Sequence, residues 1–265
     1  MNQLNKLLTD YYTDLYKVQL GLKDYKNRVK ERLNEEKSSS YYTSFREINL
    51  IKKIINYSFK EKSILVVGAG TGMEVFSFAK LGALVTGIEP NNKALKILNL
   101  KKHKHNYKNV IIIKGTAEKL PFKDKKFDFV YCWQVLEHVQ NLNKSISEMV
   151  RVTKKNGYLF LGFPDYRQII EPHYKMYLPL FLPKWISKLI LILRRRRIGF
   201  FNSLQFVNAK KVKKITKGHN LLGIQIIKPK SKKVKNLNSW GAKIKNLIED
   251  YLEIEQNQMW LFKKI

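Results

Sequence analysis

The 265-residue chain has one cysteine, Cys132. A single thiol excludes an internal disulfide framework and any zinc site built from several cysteines. A reducing, cytoplasmic setting is the resulting expectation. The opening residues MNQLNKLLTDYYTDLY have no apolar core, so no secretory signal is expected. The most apolar stretch, within 171–197, is interrupted by Pro179, Pro183, Lys184 and Lys188, which excludes a spanning helix of about 20 apolar residues. Acid is missing from Pro172 to Ile248, where lysine and arginine recur, and the net charge is +30. Lysine outnumbers arginine, 42 to 9, and Asn and Ile are abundant, the amino-acid bias of an AT-rich genome. Bias alone does not explain the asymmetry. The C-terminal third is expected to meet an anion, whether phosphate, acidic lipid or nucleic acid, the alternative being a solvated basic face.

What is present is an alternation of apolar runs and amphipathic runs. Residues 1–36 are expected to be helical without a clear core stripe, 37–44 (KSSSYYTS) a loop, and 45–59 a helix with Phe45, Ile48, Ile51, Ile54 and Ile55 at helical spacing. Strands are predicted at 63–68, 84–89, 110–115, 126–134 and 157–164, with helices at 70–81, from Asn91 to His105, and at 143–156 with Gly157 just past its end. Two more strands are predicted at 221–229 and 259–265. Strands alternating with helices, apolar on both faces, predict an α/β fold with a doubly wound, largely parallel seven-stranded sheet. The expected division is an N-terminal helical segment (1–62), a core (63–164), a helical insertion after the fifth strand (165–203) and a C-terminal completion of the core (204–265).

The stretch ILVVGAGTGMEVFSFAKLGALVTGIEP, 64–90, reads as strand, glycine loop, helix, strand and acid. A glycine loop lets backbone approach a ligand closely beside helix N–H groups. Gly68, Gly70 and Gly72 give G-x-G-x-G, with Met73 where a dinucleotide fingerprint has its third glycine. The Gly-Lys-Ser/Thr of a phosphate loop is absent. Glu89 is placed to accept two ribose hydroxyls.

With Glu89, the runs VVGAGTG, GTAEKLPFKDKKFDFVYCWQVLEHV and RVTKKNGYLFLGFPD resemble the class I S-adenosylmethionine-dependent methyltransferases. The resemblance covers about 62–164 and, more loosely, 204–229. It implies a Rossmann-like sheet and S-adenosylmethionine as cofactor. It also implies that Gly68, Gly70 and Gly72 line the methionine moiety, that Glu89 takes the ribose, that Thr116 and Ala117 border the adenine, and that Trp133 lies against the cofactor. Arg46 stands where some relatives direct a basic residue to the cofactor carboxylate. Val66 and Thr116 stand where the family often has acids.

Methyl transfer requires alignment of the acceptor and removal of its proton. The Asn/Asp-Pro-Pro-aromatic run of enzymes that methylate base or amide nitrogen is absent after the fourth strand, which has CWQVLEH instead. Cys132, inside a strand, reads as a core residue and not as a nucleophile. LEHV (136–139) is similar to the ubiquinone-biosynthesis O-methyltransferases, where a Glu-x-x-Glu-His run is associated with a divalent metal. Gln134 replaces the first acid of that run, so a metal-free site is expected, with Glu137 and His138 catalytic and His138 the base for a hydroxyl. The alternative is that Glu137 and His138 only fix the loop. His103 and His105 read as solvated. In the insertion, Trp185, Ile186, Leu189, Ile190, Ile192 and Leu193 form one expected helical face and Lys184, Ser187, Lys188, Arg194 and Arg195 the other, a basic interfacial pattern; a lid packed on the sheet or a neighbouring subunit is the alternative. EPHY…LP loosely resembles insertions in methyltransferases of bacterial glycan and lipid pathways. The expected acceptor is a small-molecule, glycan or lipid-linked hydroxyl, with peripheral contact to an anionic membrane at its inner face. An RNA methyltransferase and a non-catalytic binding protein are the alternatives, with nucleic acid the weaker partner reading.

Overall fold

The computed structural model describes residues 3–37, 42–168, 170–174, 176–178, 180, 183–225 and 257–265. In chain order the elements are α1 (Gln3–Thr13), a π-helical stretch Asp14–Gln19, α2 (Tyr25–Lys37), α3 (Tyr42–Ile54), β1 (Ser63–Val67), α4 (Met73–Lys80), β2 (Leu84–Glu89), α5 (Asn92–Lys104), β3 (Val110–Lys114), β4 (Phe127–Trp133), α6 (Leu142–Val152) and β5 (Thr153–Pro164). A two-residue pair, β6 (Ile170–Glu171) and β7 (Met176–Tyr177), opens the insertion; α7 (Lys184–Leu193), α8 (Gly199–Ser203), α9 (Ala209–Thr216), β8 (Leu221–Gln225) and β9 (Asn257–Lys264) follow.

The seven-stranded sheet has the order β3-β2-β1-β4-β5-β9-β8. The first five strands are parallel, and β9 runs antiparallel between β5 and β8. Alternation along β1 sends Ile64 and Val66 to one face and Leu65 and Val67 to the other, and each face is covered by its own apolar layer. One layer holds Ile48 and Ile51 of α3 with Phe76 and Phe78 of α4; the other holds Ile146 and Met149 of α6 with Val212 of α9. The sheet is therefore buried on both sides, as parallel strands require. Asn91 caps α5 through Lys93 N–H and Ala94 N–H, as its residue type suggested.

Three local expectations are corrected. α3 already begins at Tyr42, inside the expected loop 37–44, and ends at Ile54, short of residue 59. The helix before β5 stops at Val152, and Thr153 already pairs with Phe127. The register then jumps from Phe127↔Thr153 to Phe129↔Tyr158, so Gly157 lies within an irregularity of the strand. A Cβ there would lie 2.9 Å from the Asp128 carbonyl oxygen, so glycine serves close strand approach and not helix termination. The N-terminal helices do have a core stripe: Leu4, Leu8 and Tyr12 are buried four residues apart and pack with Val29 and with Ile97 of α5. The expected strand residues 226–229 lie outside the described residues.

Candidate active site

The chain winds from β1 outward through β2 to β3, then crosses back to β4. Such a reversal leaves a crevice outside the carboxyl ends of the two central strands. A cavity of about 430 Å³ lies there, lined by the loop Gly68–Thr71 after β1, by Trp133 at the end of β4 and by Gln134 after it. Gly70 has φ +52° and no atom within 4 Å of its missing Cβ, so its backbone is open to a ligand. Gly68 differs: a Cβ there would lie 2.3 Å from Val135 Cγ2, because the two strand ends converge. Gly72 does not line the cavity; a Cβ would meet Phe76 at 2.5 Å and Leu98 at 2.6 Å, so it serves packing of α4 against α5.

Glu89, at the end of β2, is buried behind the loop. Its carboxylate accepts the N–H groups of Gly70 at 2.8 Å and Asn91 at 2.9 Å. Burial raises its pKa, and these two N–H groups partly offset the rise. Each oxygen retains a further lone pair for a hydroxyl. Thr116 and Ala117 follow β3, with Gly115 N–H bonded to Glu89 O at 3.3 Å; they sit outside the cavity wall, and Ala117 packs with Ile88 and Leu120. Trp133 lines the cavity and stacks on Phe160 at 6.0 Å between ring centroids.

The opposite wall comes from the N-terminal helices: Tyr11, Tyr12, Leu15, Tyr16 and Arg32. Leu15 and Tyr16 belong to the π-helical stretch, an irregularity often found at functional sites. The Tyr11 hydroxyl is pushed up to about 12 by burial and then by the charge of Glu89. Arg32 is the only cation among the described residues that line the cavity; it pairs with Glu35 at 2.5 Å and lies over the Tyr12 ring. The side chain of Arg46 lies outside the described residues.

A buried network fastens this wall to the core. Glu36 accepts from Tyr12 Oη at 2.7 Å and Thr71 Oγ1 at 2.5 Å on one oxygen, and from Lys101 Nζ at 2.5 Å on the other. Lys101 Nζ also donates to the carbonyl of Thr71 at 2.7 Å. Both charged side chains are at most 3% exposed. The helices, the glycine loop and α5 thus share one ion pair.

The β4–α6 loop continues from Gln134 to Glu137 and His138. Glu137 is fully buried, and burial pushes its carboxyl up to about 7. The His138 side chain is 38% exposed, yet desolvation by the side chains packed on its inner side and then His173 lower its pKa, so the imidazole is neutral near pH 7. His173, from the insertion, packs edge-on to His138 at 5.4 Å between ring centroids, and Phe200 packs on both rings. Burial works against the charged form of His173, but the hydrogen bond and charge of Glu171 raise its pKa overall. Gln134 is turned elsewhere: it has φ +54° and donates to Asn257 Oδ1 at 3.0 Å. Cys132 is buried and its thiol pushed up by burial, which fits a core residue and not a nucleophile.

Residues 65–161 match the family described as a methyltransferase domain. That segment is a methyltransferase domain. It contains β1 through most of β5, the loop Gly68–Thr71, Glu89, Glu137 and His138. The chain is 35% identical over 130 residues to a demethylmenaquinone methyltransferase of Tropheryma whipplei (strain Twist), covering 49% of this chain and 53% of the relative. It is 33% identical over 119 residues to a ubiquinone biosynthesis O-methyltransferase of Nitrosomonas europaea, covering 43% and 48%. The chain spans about half the length of these curated relatives. Its fold is similar to the crystal structure of YcgJ from Bacillus subtilis, with TM-score 0.55, 17% identity, and coverage of 83% of this chain and 97% of that one.

Within the methyltransferase domain, the structure thus brings Gly68, Gly70 and Trp133 to one cavity with Glu89 directly behind it. Glu137 and His138 stand together with His173, which the sequence reading did not single out. The tyrosine wall and Arg32 were also missed; their signal is the spacing Leu4, Leu8, Tyr12. The ion pair that holds this wall gives a direct expectation. Lys101→Ala leaves Glu36 buried without its cation, a loss of about 3–5 kcal/mol. Hydrogen exchange should show residues 3–37 losing protection ahead of the sheet. Unchanged protection of that segment would refute the role of the pair.

Proposed function

We propose that the chain transfers the methyl group of S-adenosylmethionine to a hydroxyl oxygen of a small-molecule, glycan or lipid-linked acceptor. The observation that carries this reading is the loop 133–138: it forms a wall of the cavity at Trp133 and Gln134 and ends in the Glu137–His138 pair. In this reading Gly68 and Gly70 border the methionine portion and Glu89 accepts the ribose hydroxyls beside Tyr11. Arg32 meets the methionine carboxylate, Thr116 and Ala117 border the adenine, and Gly72 acts through packing. The acceptor enters at Glu137 and His138, where its proton leaves. The methyl carbon is already activated by the sulfonium, so alignment and deprotonation are what the protein adds. The names of the Tropheryma and Nitrosomonas relatives, which concern quinone-type molecules and, in the second, O-methylation, support a small apolar acceptor. Calorimetry tests the cofactor arrangement. Glu89→Ala is expected to weaken S-adenosylmethionine binding by about 1.5–3 kcal/mol, the range for hydrogen bonds to a charged group. Unchanged affinity, or preference for a nicotinamide dinucleotide, would contradict it.

We further propose that the insertion rests on an anionic membrane surface. Among the described residues no helix is long and apolar enough to cross a membrane. The expected faces of α7 are redistributed: Ser187 and Leu191 are fully buried, and Leu191 packs with Leu20, Tyr174 and Phe201. What faces outward is apolar, with Trp185 64%, Leu189 49%, Ile192 54% and Leu193 73% exposed. This strip runs directly into exposed Arg194, Arg195 and Arg197, while Arg196 donates to the Gly21 carbonyl. RNA has use for the charge but none for the aliphatic strip, whereas a bilayer interface uses both. Each basic residue near an anionic surface contributes about 1 kcal/mol. Co-sedimentation should show binding to anionic vesicles, none to neutral ones, and weakening by salt and by Trp185→Ala with Leu193→Ala. Absence of vesicle binding at low salt alongside salt-sensitive RNA binding would refute it.

A further inference from the structure

Neither carboxylate oxygen of fully buried Glu137 is hydrogen-bonded by another residue among the described residues; only its own backbone N–H stands near. A buried, unpaired carboxylate is costly unless a proton or a cation neutralises it. Two imidazoles stand beside it. His138 Nε2 is 4.0 Å from Glu137 Oε1, and one ligand atom from each of Glu137, His138 and His173 lies within 4.8 Å of the others. His173 is held from behind. Its Nδ1 is 2.8 Å from Glu171 Oε1, and the other Glu171 oxygen accepts the N–H of Tyr174 at 2.6 Å. A carboxylate on Nδ1 fixes the tautomer and leaves Nε2 with its lone pair, the arrangement that orients metal-binding histidines.

We propose that Glu137, His138 and His173 hold a divalent first-row transition-metal cation of the zinc type. Two imidazole nitrogens and one carboxylate oxygen form the donor set of open, catalytic sites. With bonds of about 2.0–2.1 Å the three side chains close on the ion by small rotations. The His138 side chain is 38% exposed, so a coordination position faces outward. Phe200 packs against both imidazole rings and makes that side of the site apolar. The donor that completes the set comes from the insertion: Gln134, three residues before Glu137, is committed to Asn257, whereas His173 reaches in from after β6.

The use of the site rests on the methyl-transfer reading; binding of the ion does not. An acceptor hydroxyl in the open position loses its proton to water more readily beside a divalent cation. The resulting oxyanion attacks the methyl carbon, the carbon–sulfur bond breaks, and its electron pair stays on sulfur as S-adenosylhomocysteine. Glu137 and His138 then serve the proton's departure by holding the cation.

The test uses the full-length protein, stripped with a chelator and dialysed against zinc. Mass spectrometry of metal content should give one zinc per chain, and zinc should raise the melting temperature. Glu137→Gln and His173→Gln should abolish both effects, and Glu171→Gln should weaken binding about 10–100-fold, as expected for loss of an orienting carboxylate. In cobalt-loaded protein the visible spectrum should change on His173→Gln. Zinc bound equally by the wild type and both ligand variants would overturn the site. S-adenosylmethionine binding is measured on the same samples. Cofactor binding without zinc binding overturns this inference and leaves methyl transfer standing; zinc binding without cofactor binding supports the site and counts against the methyl-transfer reading.

Discussion

Everything at the carboxyl edge of the sheet depends on how closely the end of β4 approaches β1 on one side and β5 on the other. A Cβ at Gly68 would sit 2.3 Å from Val135, and one at Gly162 would sit 1.9 Å from Trp133. Only glycine permits this approach. The approach fixes the loop that leaves β4, and that loop carries Trp133, Gln134, Glu137 and His138. The wall of the cavity and the acid–imidazole pair are therefore placed by two steric conditions, one on each side of β4. Gln134 takes the consequence in its backbone, at φ +54°, a conformation uncommon for a side-chain-bearing residue and often seen at functional sites.

The rest of the site is brought by segments outside the methyltransferase domain. The N-terminal helices close one side of the cavity and are fastened by Glu36 and Lys101. The insertion delivers Glu171, His173 and Phe200 to the other end of the β4–α6 loop. These two additions also meet each other: Leu20 and Leu22 pack with Tyr174, Leu191 and Phe201. A contact of the outward strip of α7 with a bilayer would thus lie one packing layer away from the helices that wall the cavity.

The sheet, the glycine loop and Glu89 were legible because each rests on local pattern: short continuous apolar runs, a glycine cluster and an acid at a strand end. The seven strands follow from the same signal, β8 and β9 included. Other features rest on tertiary contact. His173 lies far along the chain from His138, and only folding of the insertion sets the rings 5.4 Å apart. Ser187 belongs by type to a polar face, yet it is buried because α7 docks through Leu191 and its neighbours. Arg32 sits in a helix rich in charge, where nothing local separates it from Arg28. Gly157 was read as a helix stop but is demanded by close strand approach, whereas Gly72 keeps its loop role at φ +100° and in addition leaves room for Phe76 and Leu98.

The central claim is that the cavity at the β1–β4 reversal holds the methyl donor with its sulfur toward the Glu137–His138 loop. A crystal structure with S-adenosylhomocysteine tests this most directly. The homocysteine portion is expected beside Gly68 and Gly70, the ribose hydroxyls within hydrogen-bond distance of the Glu89 carboxylate, and the sulfur on the side of Trp133. A nucleoside bound outside this cavity, with Glu89 still bonded only to Gly70 and Asn91, would contradict it.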